Sequence, residues 1–284
     1  GRVYISVLCY SSCMKIIKEL PGAYSSKVEL VEIDKCLFVL KTWDEDETQN
    51  EKLFLRELKE HGLPALRVIE NNKIRTNEIL LEYINGSPTL PQDHDYFIAF
   101  GESVRKMHDI TYDYSFKVNS KGEREKIEWN DFLRDALNRG LQRQAKKGTD
   151  LDKSFLDAIA SFVKNRLPVT NISCSLLHAD LHTENVLMRG DDMLLYDKNS
   201  EIFSGDSRYD VVTLLTNFPN GVYIETSNSE NQQDTDKREA FIKGYGSNFL
   251  ENDREILDLY FVIKALARYP NPWEIHLKEA LENI

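Results

Sequence analysis

The stretch LLHADLHTENVLMRGDDMLLYD runs from Leu176 to Asp197. It sets two histidines, an asparagine and several acids between two apolar runs. Ser175 to Leu177 is short and apolar, Met193 to Tyr196 is another such run, and Arg189-Gly190-Asp191-Asp192 has turn composition. The polar cluster therefore falls on a loop between two β-prone pieces. Its spacing is H-x-D-x-x-x-x-N, from His178 through Asp180 to Asn185, and a further acid, Asp197, closes the second run. An amide and a carboxylate are hard oxygen donors that suit Mg²⁺, which leaves coordination sites for phosphate and water. A separate carboxylate, Asp180, can accept a proton from a hydroxyl nucleophile. Carboxylate, amide and carboxylate in this order are the working end of a phosphoryl-transfer site. His182 and Glu184 have no third residue at zinc spacing; His182, and His178 likewise, are expected to brace the loop by hydrogen bonds.

Outward from this loop the chain divides in two. Towards the N-terminus, apolar residues roughly alternate from Lys27 to Ile33, Asp34-Lys35 can turn, and Cys36 to Leu40 is β-prone: a hairpin. The acidic run Asp44 to Thr48 suits the positive end of a helix dipole. Leu55 and Leu58 fall in line with Glu51 at helical spacing as far as His61, and Gly62 and Pro64 stop the helix. Ala65 to Ile69 and Asn77 to Ile84 read as two more strands, with Asn71-Asn72 turning between them. Asn85-Gly86-Ser87-Pro88 breaks the pattern and suits a link. Beyond it Phe97, Phe100, Val104 and Met107 repeat at three and four; Trp129 to Leu141, Ser154 to Arg166, Arg238 to Phe249 and Glu255 to Tyr269 are further expected helices. Thr111 to Lys126 reads as an insertion or loop, and Thr226 to Lys237 as an acidic-polar loop. The expected fold is α+β: residues 1–86 as a small antiparallel sheet with one helix, and residues 87–284 as a larger, mainly helical lobe.

The net charge of −11 over 284 residues disfavours nucleic acid, which needs a positive field, and favours a cationic ligand. Residues 1–86 carry 12 basic and 14 acidic groups, so most of the negative charge falls in the helical half. The cysteines at 9, 13, 36 and 174 form no metal pattern and read as reduced thiols in a cytoplasm. Val3 to Tyr10 is too short to span a membrane. The chain starts at Gly1 without a methionine, so trimming or an artificial boundary is expected there.

HADLHTENVL resembles the catalytic loop of the aminoglycoside phosphotransferase-like kinases, which also include choline and fructosamine kinases. GDSRYDVVTLL, Gly205 to Leu215, resembles their G-D-P-x-x-D motif. The resemblance spans roughly Ser25 to Leu215 and, more weakly, REAFIKGY near Tyr245. It implies the bilobal protein-kinase fold and a small-molecule kinase with Mg²⁺ and ATP or GTP as donor. It implies Asp180 as catalytic base, with Asn185 and Asp197 holding Mg²⁺. Lys41, at the end of FVLK, would grip the α- and β-phosphates and pair with Glu51. Glu47 and Glu57 compete for that pairing, though Glu57 falls off the stripe of Leu55 and Leu58. The backbone from Glu82 through Tyr83 to Ile84 would receive the base, and Ser25 and Ser26 would cradle phosphate after Gly22. Asp206 and Asp210 would anchor loops of the large lobe.

The sequence departs from the family at several points. Ala179 stands where Gly is commoner, Ser207 replaces the usual Pro, and Lys198-Asn199 follow the metal Asp. No A-P-E segment follows Asp197, which argues against a protein kinase; every chemical position is filled, which argues against a pseudokinase. The expected acceptor is a hydroxylated, cationic small molecule, an aminoglycoside-type antibiotic before choline, fructosamine or a homoserine-like metabolite. Thr111 to Lys126 and Thr226 to Asp236 would rim its cleft. A monomer is expected.

Overall fold

A computed structural model of the chain describes residues 14–20, 26–85, 93–147, 152–198, 202–216, 232–246 and 253–268. Four strands form one antiparallel sheet in the order of the chain: β1 (Lys15–Glu19), β2 (Lys27–Ile33), β3 (Cys36–Thr42) and β4 (Glu78–Glu82). Asp34 and Lys35 both take positive φ, 51° and 65°, and close the β2–β3 hairpin as a two-residue turn whose twist matches its strands. In the register that follows, Lys41 pairs with Val28 on one side and Ile79 on the other.

Helix α1 (Glu45–Glu60) begins where expected. Asp44 caps it by accepting from the Glu47 N–H at 2.9 Å, with Glu45, Asp46 and Glu47 in the first turn. His61 ends it, and Gly62 at φ 74° makes the left-handed exit. Ala65 to Ile69 is less regular than expected. It touches β4 through one bridge, Val68 to Leu81, and two flanking hydrogen bonds, Ile69 N–H to Leu80 O and Glu82 N–H to Arg67 O.

Among the described residues the remaining helices are α2 (His94–His108), α3 (Trp129–Lys147), α4 (Lys153–Arg166), α5 (Ser207–Thr216), α6 (Gln232–Tyr245) and α7 (Arg254–Arg268). Phe97, Phe100, Val104 and Met107 lie on the inward face of α2, none more than 1% exposed. α2 and α6 approach closely through two glycines. A Cβ on Gly101 would meet the Phe241 carbonyl at 2.2 Å, and one on Gly244 the Ile98 carbonyl at 2.0 Å. The core continues through Leu133, Ile159, Val163 and the apolar face of α7, Leu257 to Leu266.

Two expected loops are structured. Thr111 to Lys126 contains a hairpin of β5 (Phe116–Val118) and β6 (Arg124–Lys126), with Phe116 and Val118 buried. It joins β10 (Ser204–Gly205) and β7 (Ser175–Leu176) in a second sheet of order β6-β5-β10-β7. Gln232 to Lys237, expected as loop, opens α6; residues 226–231 lie outside the described residues. Strand β1 was not expected, because all five of its residues are exposed and no inward face shows in its pattern.

Among the described residues no helix is long and apolar enough to cross a membrane. Cys36 and Cys174 are free thiols; Cys9 and Cys13 lie outside the described residues, as do Val3 to Tyr10. So do Gly86 to Pro88 of the expected link.

Candidate active site

The quoted stretch folds into β7, a loop, and a hairpin of β8 (Val186–Arg189) and β9 (Asp192–Leu195), turning at Gly190 with φ 64°; β7, β9 and the turn fall where expected, and β8 adds a strand that the sequence reading did not assign. Thr183 to Asn185 form a single 3₁₀ turn just before β8. The apolar runs are buried: Leu176, Leu177, Leu181 and Leu194 are all fully enclosed. The polar groups between them therefore stand on anchored backbone.

Asp210, at the start of α5, supplies much of that anchorage. Its carboxylate accepts from the His178 amide at 2.5 Å, from the Ala179 amide at 2.7 Å and from His108 Nε2 at 3.3 Å. Burial alone would raise its pKa; the hydrogen bond and charge interaction with His108, aided by Lys264, outweigh that and hold it below the usual carboxylate range. Asp206 anchors a neighbouring turn. It accepts from Arg208 Nε at 2.9 Å and from the Tyr260 hydroxyl at 2.7 Å, and that hydroxyl in turn accepts from Trp129 Nε1 at 2.8 Å. Neither aspartate reaches outward, since both are at most 1% exposed.

His178 is fully buried, edge-on to Phe54 at 5.4 Å. Its Nε2 lies 2.7 Å from the Tyr196 carbonyl, which can only accept, so the proton is on Nε2. Nδ1 has no partner among the described residues. Burial therefore lowers its pKa from the ordinary 6.5, because a second proton would put an unshared charge in the core. The unfolded imidazole takes that proton and the folded one refuses it. Stability is thus fully present above about pH 6.5 and falls as the pH drops towards the folded value. The melting temperature should decline below that pH, and His178→Gln should flatten the decline. An equal slope in the variant would show that other groups set it.

Asp180 is half-buried, its side chain 32% exposed, and its carbonyl accepts from Asn185 Nδ2 at 2.9 Å. That bond fixes the Asn185 amide with Oδ1 as its remaining acceptor. His182 does not brace the loop through its ring as expected. Its Nε2 lies 3.7 Å from Asp180 Oδ2, beyond hydrogen-bond reach, while its carbonyl accepts from the Asn185 amide.

Asp197 follows β9 with φ 61° and a side chain 37% exposed. Its Oδ1 accepts from Lys41 Nζ, which also donates to Glu51 Oε2 at 2.7 Å, and its own amide donates to Glu51 Oε1 at 3.2 Å. The three residues come from β3, α1 and the segment after β9, so the sheet, its helix and the end of the β8–β9 hairpin meet at one ammonium. The Trp43 ring lies 3.8 Å from that ammonium. Burial works to lower the Lys41 pKa, but Glu51 and Asp197 more than offset it and the net shift is upward. Burial raises the pKa of Glu51, which is fully enclosed; Lys41 opposes the shift without cancelling it.

Among the competing glutamates, Glu57 is buried as well, contrary to its expected place off the stripe. It points elsewhere, to Arg124 Nη2 at 2.9 Å. Glu47 lies in the capped first turn.

The donor set fits Mg²⁺: a half-exposed carboxylate on Asp197 and an amide oxygen on Asn185, both hard oxygens. Among the described residues no three His, Cys, Asp or Glu side chains converge. Two protein donors match a metal that carries phosphate oxygens and water in its other positions.

The nucleotide end of the site differs in detail from expectation. The Glu82 N–H is bonded to the Arg67 carbonyl, and its carboxylate accepts from the Arg67 amide at 2.8 Å and from Arg189 at 3.0 Å. Glu82 thus ties β4 to the β8–β9 hairpin, and its amide is not available to a base. Tyr83, 36% exposed, and the half-buried Ile84 continue beyond it. Ser26 stands at the entry to β2; Gly22 and Ser25 lie outside the described residues.

Two buried lysines were given no role in the sequence reading of the site, Lys198 appearing there only as a departure from the family pattern. Lys198, next to Asp197, donates to the Ile202 carbonyl at 2.6 Å. Lys264 of α7 reaches the Ala179 carbonyl. A lysine in an apolar run reads as a solvated edge, so composition carries no signal for either.

A model of the phosphotransferase enzyme family matches residues 16–253. Among curated proteins none matches. Solved structures are similar over most of the chain. Spectinomycin phosphotransferase APH(9)-Ia, in complex with ADP and spectinomycin, is 14% identical, with TM-score 0.57, over 95% of this chain and 88% of that one. A thermostable variant of aminoglycoside phosphotransferase APH(4)-Ia, with ADP and hygromycin B, is 13% identical, with TM-score 0.61, over 88% and 83%. Plasmodium vivax ethanolamine kinase is 13% identical, with TM-score 0.56, over 96% and 81%. At these identities the likeness speaks for the fold, the bilobal protein-kinase type.

Proposed function

This chain belongs to the phosphotransferase enzyme family and takes an alcohol group as acceptor, and from that premise we propose that it is a small-molecule kinase acting on a cationic, hydroxylated substrate of aminoglycoside type. The observation that carries the kinase reading is the meeting of Lys41, Glu51 and Asp197 beside the Asp180 loop. Residues 1–86 bind the nucleotide and residues 87–284 supply the catalytic loop and the acceptor site.

The donor is ATP or GTP. Tyr83 and Ile84 offer their backbone to the base, and Lys41 turns from Asp197 to the α- and β-phosphates while Glu51 keeps it in place. Asn185 and Asp197 hold Mg²⁺, which when bound neutralises charge on the phosphates. Asp180 accepts the acceptor's hydroxyl proton. The alcohol oxygen bonds to the γ-phosphorus, the bond from that phosphorus to the β,γ-bridging oxygen breaks, and the nucleoside diphosphate leaves with the electron pair. His108, Asp206 and Asp210 touch none of the reacting atoms and keep the loop in register. Reduced thiols suit action in a cytoplasm.

The cationic acceptor rests on charge. Beyond residue 86 the chain carries 24 basic and 33 acidic groups, a field that attracts ammonium groups and holds them by charge-assisted hydrogen bonds. The spectinomycin and hygromycin B enzymes share the fold, as does ethanolamine kinase, whose named substrate is a small amino alcohol.

The assay is a panel of aminoglycosides, choline, ethanolamine and neutral sugar alcohols with Mg-ATP and Mg-GTP. The best acceptor should be cationic. Its kcat/KM should fall as salt rises, since the Debye length shrinks to ~8 Å near physiological ionic strength. A neutral best acceptor with turnover indifferent to salt would remove the charge argument and leave the kinase standing.

A further inference from the structure

Ala179 stands immediately before Asp180 with φ at 68°, a left-handed backbone that an alanine adopts only when its surroundings hold it there. Its N–H is held from one end by Asp210 Oδ1 at 2.7 Å. Its carbonyl is met from the other by Lys264 Nζ at 3.4 Å. Lys264 comes from α7, far along the chain, and is only 7% exposed. Its ammonium also lies 3.7 Å from the centre of the Tyr209 ring, beside Asp210 in sequence. A buried ammonium is costly unless its charge is matched by dipoles, π-faces or an anion. Here all three surround it, since Asp210 also feels its charge. The two contacts fall on the two peptide groups that flank the Ala179 Cα, the second of which leads into the candidate base.

We infer that Lys264 is a positioning residue for phosphoryl transfer: Asp210 holds the His178–Ala179 peptide by its N–H, Lys264 holds the Ala179–Asp180 peptide by its carbonyl, and together they clamp Ala179 on both sides and so fix the direction in which Asp180 leaves the loop. The inference rests on the reading of Asp180 as the base. Lys264, buried at 7% exposure, acts through the loop backbone in this reading. Without its ammonium the Ala179 carbonyl is free to turn, the residue relaxes towards negative φ, and the carboxylate after it swings out of line. Glycine would not relax in this way, because it accepts positive φ as readily as negative.

The test uses the full chain with Lys264→Met, which keeps the stem and removes the charge. Three quantities are measured: kcat for phosphate release from Mg-ATP with water as acceptor, the Mg-ATP dissociation constant, and hydrogen exchange at the His178 and Ala179 amides. The expected result is kcat lower by roughly tenfold or more, as misplacement of a reacting group produces, with unchanged Mg-ATP affinity and faster exchange at Ala179. Lys264→Arg should restore most of the rate. Adding Ala179→Gly to Lys264→Met should also restore it, a rescue that a merely structural lysine would not give. If Lys264→Met does not fold, Lys264→Gln serves in the same comparison. Parent-level turnover and exchange, or no recovery with Ala179→Gly, would overturn the assignment. Asp180→Asn, run beside these variants, separates the two ideas. If it keeps full turnover, the base has been misread; if it loses turnover while Lys264→Met does not, only the clamp fails.

Discussion

Asparagine in place of Asp180 should lower phosphoryl transfer by ~10²–10⁴-fold, the range general-base catalysis supplies. The substitution is nearly isosteric and leaves the main-chain anchorage of the loop in place. The contact from Asn185 is to the Asp180 main-chain carbonyl, which the variant keeps. Asp210 holds the loop through the amides of His178 and Ala179, which it also keeps. Mg-nucleotide affinity and melting temperature should therefore stay close to the parent's while kcat collapses. Single-turnover transfer to the best acceptor, with binding measured separately, reads both. A variant that retains most of its turnover at saturating acceptor would show that the proton goes elsewhere.

Asp197→Ala should abolish turnover by a different route, through the metal. The carboxylate is the charged member of the donor pair, so Mg²⁺-dependent nucleotide affinity should be lost, while Asn185→Ala, which removes only a dipole, weakens it less. The fold should survive, because Lys41 keeps its bond to Glu51 and the lost side chain is 37% exposed. Titrating Mg²⁺ against nucleotide affinity in both variants checks the order. Normal Mg-nucleotide affinity in Asp197→Ala would count against a metal there. The converse substitution, Glu51→Ala, should harm stability more, since Glu51 is fully enclosed and its loss strips a partner from both the buried Lys41 ammonium and the Asp197 amide.

The central loop was legible because polar residues seldom crowd between two apolar runs without a task, and the spacing from His178 to Asn185 left few arrangements open. Helix α1 was legible from its acidic start and its glycine stop, both local signals. β1 was not, since Lys15 to Glu19 buries nothing and its strand exists only because β2 offers an edge. The β5–β6 hairpin was hidden for a related reason. Its strands are three residues each and β6 is wholly exposed, so no alternation accumulates; only the turn at Gly122, φ 76°, marks it. Glu57 shows the limit of a single stripe. Helix α1 is buried on more than one side, and that depends on a hairpin far ahead in the chain. Lys264 lay furthest from view, because its partner is a peptide carbonyl and any residue type has one.

The hairpin has a consequence for control. Asn50 of α1 donates to the Val118 carbonyl at 3.1 Å in a buried bond, and Glu57 two turns on is paired with Arg124. These bonds bracket Glu51, so the helix that presents it is bolted to the β5–β6 hairpin. To swing outwards it would have to break a buried hydrogen bond and a half-buried ion pair together. The Lys41–Glu51 ion pair is then a fixture and not a latch. With that helix bolted down, the pairing of Glu51 with Lys41 is set by the packing of the two lobes and owes nothing to a swing of α1.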